Sequence, residues 1–453
     1  MKRKNNIDMV DGPLFKNIWR FLLPFVFSAI MQRLYNAADV IVIGRYAGET
    51  ALASVGTSGS ISAMFIDLFI GLSAGISVAL GHALGAKDEE RASRVIHTAM
   101  FVALVGGALV SVAGIVFAPW ALSLVDVPAD IMPQATLYMR IIFVGKIPVL
   151  VYNFGSAILR ANGDSKRPLY IITVTGIANV LFNLFFVLVC GMKAGGVALA
   201  TVIAQLGQAI AVTVLLCREE GAIKLRFKKL RIHRDAILNI IKVGIPSGLQ
   251  ATVFAGSNTL IQAGINSFGT ATIAGNTAAT NLGGFIYCVF NAFLHTALAF
   301  TSQNYGAKKY DRIGKTIRCC FADVVIFWAI AIVFVVFACR PLLGIYLPGN
   351  AAAVEKGMIR LWVMGCTYGI LGFSSTMSGV LRSIGYSVHV MIVAVLGACV
   401  IRVIWILTVF EKFRTLPILY LSFAVSWIVS VIALSALYRV VRKKKFRDTE
   451  SLQ

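Results

Sequence analysis

Asp39 is the first residue whose type and setting call for chemistry. It stands in the apolar run that follows Pro24, with Tyr35 and Asn36 four and three residues before it, on one face if the run is helical. A carboxylate at that depth of a membrane helix costs roughly 2.5–3.5 kcal/mol on insertion scales, so it needs a partner, water or a proton. Loss of water favours the protonated carboxyl, and a cation at close range favours the ionised one. One such group can therefore hold a proton when its site is empty and release it when a cation arrives. The alternative is a plain hydrogen-bond acceptor between helices. Asn179 and Asn183 repeat the pattern, again four residues apart on one face of an apolar segment. Asp67 and Asp323 are further acids in apolar surroundings, the second with Lys315 and Arg318 near enough along the chain to pair with it. Arg33, a turn and a half before Asp39, either neutralises a carboxylate or lines a cavity, and Arg140, Lys146 and Arg402 do likewise or reach for an interface. Pro24 removes one helical hydrogen bond and permits a kink.

Other chemistries are missing from the sequence. The five histidines make no i,i+4 ligand pair, and the eight cysteines show no metal-ligand spacing, so neither a metal site nor disulfides are expected. No G-x-x-x-x-G-K-[ST] loop is present, so nothing points to ATP, and no cofactor beyond a coupling ion is expected. No catalytic cluster suggests an enzyme.

The segments carrying these residues are those of a polytopic membrane protein. The 453 residues are 58% hydrophobic and 14% charged, with mean hydropathy +0.82, whereas soluble domains run at about 25% charged. Apolar runs of membrane-spanning length recur near 18–43, 52–82, 95–119, 133–156, 168–190 and 195–217. A second set falls near 238–265, 271–303, 313–339, 357–379, 388–410 and 416–440. Backbone satisfaction in lipid makes these helices, so the fold class is all-α integral membrane with twelve transmembrane helices. The net charge of +22 sits in short loops between apolar runs, which argues for a lipid bilayer and against nucleic acid as partner. With both termini on one side, that side receives 29 Lys/Arg and the other six, which predicts cytoplasmic termini. The polar start and the absence of a cleavage pattern predict a retained first helix.

The chain also reads as a duplication. The longest polar connection, residues 218–237, divides an N-terminal six-helix bundle, residues 1–217, from a C-terminal one, residues 238–453, with a basic cytoplasmic tail. Gly85-Ala86-Lys87 with Arg91 returns as Gly306-Ala307-Lys308 with Arg312. Leu159-Arg160 with Gly163 returns as Leu381-Arg382 with Gly385, and Pro24 as Pro246. Six spans per repeat predict parallel halves related by a pseudo-two-fold along the membrane normal, an architecture common among transporters. The small-residue pairs Gly71/Gly75 and Gly81/Gly85 predict close helix packing.

Three signatures, in order, resemble the multidrug and toxic compound extrusion (MATE) family across essentially the whole chain. They are Tyr35-Asn36-Ala37-Ala38-Asp39 running on to Gly44-Arg45, Gly71-Leu72-Ser73-Ala74-Gly75 leading to Gly85-Ala86-Lys87, and Leu159-Arg160-Ala161-Asn162-Gly163-Asp164-Ser165-Lys166-Arg167-Pro168. The resemblance implies two six-helix bundles around a V-shaped cavity that exchanges organic cations for protons or sodium ions. The match is closer to the DinF-like bacterial branch than to the NorM-like one, because the seventh span offers Gln250 and Gln262, and the tenth Ser374, Ser375 and Thr376, where that branch carries acids. The resemblance places Asn179, Asn183, Thr201 and Tyr138 in a network with Asp39. A second acid is common in that branch at the position Asn183 occupies, so a two-acid mechanism does not carry over. It also implies that bending at Pro24 accompanies protonation, that a monomer suffices, and that the site is the inner membrane of a bacterium. A lipid-linked precursor flippase from the same wider superfamily is the alternative, kept open by the intramembrane Arg and Lys residues. A major-facilitator importer would need a G-x-x-x-D-R-x-G-R-R loop that is absent.

Overall fold

The computed structural model describes residues 6–124 and 127–445, except the side chains of 49, 50, 52, 57, 59–68 and 445. Every regular element among them is helical. We number the helices α1 (Leu14–Ala47), α2 (Glu49–Gly85), α3 (Glu89–Ser123), α4 (Met132–Val144 and Lys146–Ala161), α5 (Lys166–Val189) and α6 (Lys193–Arg218). The set continues with α7 (Arg234–Asn266), α8 (Thr270–Gly306), α9 (Tyr310–Phe337), α10 (Ala351–Gly365 and Tyr368–Ser383), α11 (Ser387–Phe410) and α12 (Leu416–Lys445). Nine of them are long and apolar enough to cross a membrane by themselves, and the α4 pair makes a tenth. Their outer faces are apolar at helical spacing: Leu109, Val112, Val116 and Trp120 of α3 are each more than 60% exposed, as helices facing lipid rather than water require.

Proline sets the breaks that hydropathy does not reveal. α4 bends by 42° at Gly145, because Pro148 has no N–H to offer the Val144 carbonyl and its ring crowds that group. The ninth apolar run, read through to residue 339, stops at Phe337 and resumes as a separate short helix, Cys339–Tyr346. Pro341 does the same there to the Phe337 carbonyl.

The helices form two compact units. Unit 1 is Met1–Asp8 with Leu23–Gly248, and unit 2 is Met9–Leu22 with Leu249–Gln453. The sequence division at 218–237 therefore differs from the packing: the connection lies wholly within unit 1, and the units change inside α1 and α7, close to Pro24 and Pro246. Glycine explains α7. A Cβ on Gly71 would lie 2.4 Å from the Gly248 nitrogen, and one on Gly75 2.2 Å from the Ile240 oxygen, so only backbone-to-backbone contact fits between α2 and the start of α7. The connection itself is packed: Ile223 and Leu225 join the core of Val95, Ile96 and Leu216. His97 Nε2 receives the Arg226 amide at 3.0 Å, and Thr98 Oγ1 the His233 amide at 3.1 Å.

Side chains tie the start of the chain into unit 2. Trp19 stacks on Phe327 with centroids 5.4 Å apart, Phe21 meets Phe300 edge-on, and Asn304 Nδ2 donates to the Met9 carbonyl at 3.0 Å. Asp323, fully buried, accepts a 2.7 Å hydrogen bond from Trp19 Nε1. Lys315 or Arg318 was its expected partner, but both belong to the basic end of α9 with Asp311, Tyr438 and Arg442. An indole from a distant segment supplies one oxygen of the acid instead, and Asp323 Oδ2 stays buried without a hydrogen-bond partner.

The repeated motifs have repeated backbones. Lys87 and Lys308 both adopt positive φ, 56° and 57°, after the helices they terminate, and Gly163 and Gly385 sit at 88° and 97°. Gly48 and Gly269, at 88° and 87°, precede α2 and α8. At the four glycines this positive φ carries no steric cost, since there is no Cβ.

Two measurements check this packing. Gly75→Ala is expected to lower detergent-solubilised stability by about 1–3 kcal/mol through overpacking, while Gly314→Ala, with open space around it, leaves the melting temperature unchanged or raised. Trp19→Phe is expected to cost about 1–3 kcal/mol by stranding the Asp323 carboxyl, and Trp19→Phe with Asp323→Leu to recover most of that loss.

Candidate functional site

Three helices of unit 1 build the site around Asp39. α1 and α5 each pass into a wider π-helical turn just beyond it, at Ile43–Ala47 and Phe185–Val189, a feature frequent at functional sites. α1 seats against α5 through Tyr35, whose ring occupies the space beside Gly176: a Cβ there would lie 1.7 Å from Tyr35 Cζ. The Tyr35 hydroxyl donates to the Thr173 carbonyl at 3.2 Å. One turn further along both helices, Asn179 and Asn183 face Asp39.

The polar groups close into a ring. Asn183 Nδ2 donates to Asp39 Oδ1 and lies 3.3 Å from Asn179 Oδ1. Asn179 Nδ2 donates to Thr201 Oγ1 at 3.4 Å, and Thr201 Oγ1 lies 3.5 Å from Asp39 Oδ2. The single Thr201 hydroxyl proton has a second acceptor, the Val197 carbonyl one turn back at 2.9 Å, and so can turn away from the carboxylate. Asn179 and Asn183 are buried and Asp39 is partly exposed. Tyr138 of α4 packs against the small core cluster that includes Val42, Ala51, Val187 and Val197 and stands within electrostatic reach of Asp39.

Two properties of the ring matter chemically. Among the described residues, the donors to Asp39 are all neutral: an amide and a hydroxyl, with no Lys or Arg ion pair. The carboxyl is thus free to gain or lose a proton without breaking an ion pair. In addition, Asn183 Oδ1 is buried without a hydrogen-bond partner, a spare acceptor beside the carboxylate. Carboxylate, amide and hydroxyl oxygens are also the donor set that a hard cation takes.

The remaining sequence candidates fall elsewhere. Asn36, read as sharing the Asp39 face, is exposed and makes no described hydrogen bond to the acid; one residue past Tyr35, it is turned about 100° from the α5 contact that Tyr35 makes. Arg33 lies half-buried on α1. Pro24 sits inside a continuous helix, its carbonyl accepting from Ser28 Oγ at 2.8 Å. The Asp67 side chain lies outside the described residues. Gln250 belongs to unit 2, where its Oε1 accepts from Arg382 at 2.7 Å. Arg140 is exposed and donates to the Ile115 carbonyl at 3.3 Å, whereas Lys146 is buried with its ammonium 5.2 Å from the Phe143 ring centre. The third sequence signature is a clamp rather than a site: Asp164 caps α5 by accepting from the Lys166 and Arg167 amides, and Arg167 pairs with both Asp164 and Glu219. No group of three His, Cys, Asp or Glu fit to hold a metal occurs among the described residues. The sequence reading missed Arg360, whose one signal is its place in the repeat, 222 residues after Tyr138.

Known proteins resemble the chain end to end. A probable multidrug resistance protein of Bacillus subtilis, YoeA, is 25% identical over 450 residues, 95% of both chains. The multidrug export protein MepA of Staphylococcus aureus is 18% identical over 87% of this chain and 88% of its own. Among solved structures, a MOP-superfamily transporter of Pyrococcus furiosus, described as having a binding pocket of reverse polarity, superposes with TM-score 0.90 at 19% identity, over 98% of this chain and all of its own. An outward-facing multidrug resistance MATE transporter gives 0.89 at 19% identity, over 97% of this chain and all of its own. The MatE family profile matches residues 24–185 and 246–408, two segments that begin at Pro24 and Pro246. Together they span well over half of the sequence, and the chain belongs to the MatE family of multi-pass membrane transporters.

Proposed function

We propose that the protein is a secondary antiporter that exports drug-like organic cations by alternating access, with Asp39 as its coupling carboxylate. The observation that carries this reading is the ring on Asp39, a half-buried acid held only by neutral donors. Ionised, it attracts a cation; protonated, it lets the cation go. The buried Asn183 Oδ1 offers a resting place for the carboxyl proton, and the Thr201 hydroxyl can turn to Val197 when the acid itself becomes a donor. Protons are the coupling ion we favour, since the ring needs no further ligand to bind one; sodium ions are the other outcome of the test. Multidrug relatives over nearly the whole length support the substrate class, and the loop charges support cytoplasmic termini in a bacterial inner membrane. We read the monomer as the working unit, with the bilayer as its only standing partner. A flippase for lipid-linked precursors is the second reading, favoured by buried Arg402.

Ethidium efflux from proteoliposomes tests it. The native protein is expected to move the dye under an imposed proton gradient, and Asp39→Asn to abolish the movement. Efflux that persists in Asp39→Asn would remove the acid from the mechanism, and efflux that needs a sodium gradient would change the ion. Asn183→Leu and Thr201→Val are each expected to slow efflux about tenfold, with the double variant well short of their product because both act through one group.

A further inference from the structure

The duplication leaves a second position matching the Asp39 ring, inside unit 2, and its chemistry is inverted. Arg360 stands 222 residues after Tyr138, Phe423 222 after Thr201, and Arg402 223 after Asn179, the same spacing that separates the two matched family segments at their starts and ends. The acid has no counterpart: the position 222 after Asp39 is the buried Ile261. Two guanidinium groups occupy the place instead. Arg402, 5% exposed, lies 4.3 Å above the Phe423 ring, and Arg360 lies 5.9 Å from the same ring and 5.3 Å from that of Tyr420. π-helical turns flank Arg402 at Leu396–Val400 and Ile406–Phe410, as they follow Asp39 and Asn183.

The charges are not balanced locally. Among the described residues neither guanidinium meets a carboxylate: Arg402 donates to Ser426 Oγ at 3.2 Å and Asn258 Oδ1 at 3.3 Å, and Arg360 to Asn276 Oδ1 at 2.6 Å. All three acceptors are neutral, and each guanidinium has five N–H donors to place. Two like charges sharing one aromatic ring, one of them buried and the other partly so, are unfavourable without an anion beside them. Intramembrane ionisable groups mark functional sites by default. Arg360 is itself partly exposed and Arg402 bonds to Asn258, an exposed residue of α7, so the pair reaches the surface of unit 2.

We propose that Arg360 and Arg402 form an anion site, separate from Asp39, that takes the carboxylate or phosphate oxygens of a small molecule. Planar guanidinium groups bind such oxygens in bidentate fashion, and the buried rings of Phe423 and Tyr420 hold the two side chains in place through their faces. The inference deepens the exporter reading: it adds zwitterionic and acidic compounds to the cations that Asp39 attracts.

The test uses purified full-length protein in nanodiscs with two dyes that differ in one charge, rhodamine B, a zwitterion at neutral pH, and its ethyl ester, a plain cation. Fluorescence anisotropy is expected to show rhodamine B binding at least about tenfold tighter than the ester, a difference of about 1.4 kcal/mol. Arg402→Gln and Arg360→Gln should each erase that preference while ester binding stays within about twofold, which also shows that the variants are folded; Arg402→Lys should keep part of it. Repeating the titrations in phosphate buffer separates the sources of the anion. Phosphate that weakens rhodamine B but not the ester assigns the site to the substrate's own acidic group. Phosphate that tightens the ester, an effect lost in Arg402→Gln, assigns it to a free anion bound beside the substrate. Equal affinity for both dyes without phosphate and no effect of phosphate on either, or a preference that survives both substitutions, overturns the proposal. Ethidium transport is independent of this result, so an anion site with no ethidium efflux would sink the exporter reading alone, and efflux without anion binding would sink only the site.

Discussion

A carboxyl group on an apolar helix has no bulk water to satisfy it, and the local arrangement of α1, α5 and α6 answers that need. Asn183 and Thr201 supply donors to the two Asp39 oxygens, Asn179 ties those donors together, and Tyr35 against Gly176 sets the distance between the helices. The donors are neutral, and that choice matters more than their number. A lysine or arginine would hold the acid ionised at all times. Amides and a hydroxyl solvate it while leaving its charge free to change.

Glycine and proline provide the frame in which this happens. Where helices must approach to backbone contact, as α2 does to α7, glycine is the residue that fits. Where a long apolar run must turn, proline breaks it: Pro148 bends α4 beside Tyr138 and Lys146, and Pro341 ends α9. These devices belong to one repeat or the other, whereas the backbone of the matching loop motifs is common to both, with φ of 56° and 57° at Lys87 and Lys308. Side-chain chemistry has been free to diverge on that shared frame. One repeat carries Asp39 and amides, and the matching place in the other carries Arg360, Arg402 and aromatic rings. Each unit thus surrounds its own ionisable groups with neutral polar partners, amides and a hydroxyl about Asp39 and amide and serine oxygens about the arginines.

Much of the fold was legible because the membrane imposes strong, one-dimensional rules. Twelve apolar runs, the duplicated loop motifs and the helical face shared by Asn179 and Asn183 all follow from composition and period. Asp39 stood out because an acid in such a run is costly. Asn36 did not join the ring, though its spacing allowed it, because helical periodicity places a residue on a face without saying which neighbour that face meets. Asp323 shows the same limit. Lysine and arginine were near along the chain, and Trp19, some three hundred residues away, was near in space.

The sequence by itself determined the fold class, the repeats and the acid, since hydrophobic length, motif order and the energetic cost of a buried charge are properties of the chain alone. Only the tertiary structure decided which groups satisfy that acid, that the basic connection packs as part of unit 1, and that the unit boundaries fall inside α1 and α7. It also decided that Arg360 and Arg402 share Phe423. The reason is physical: partners are chosen by three-dimensional packing of side chains whose separation along the chain carries no information about their distance in space.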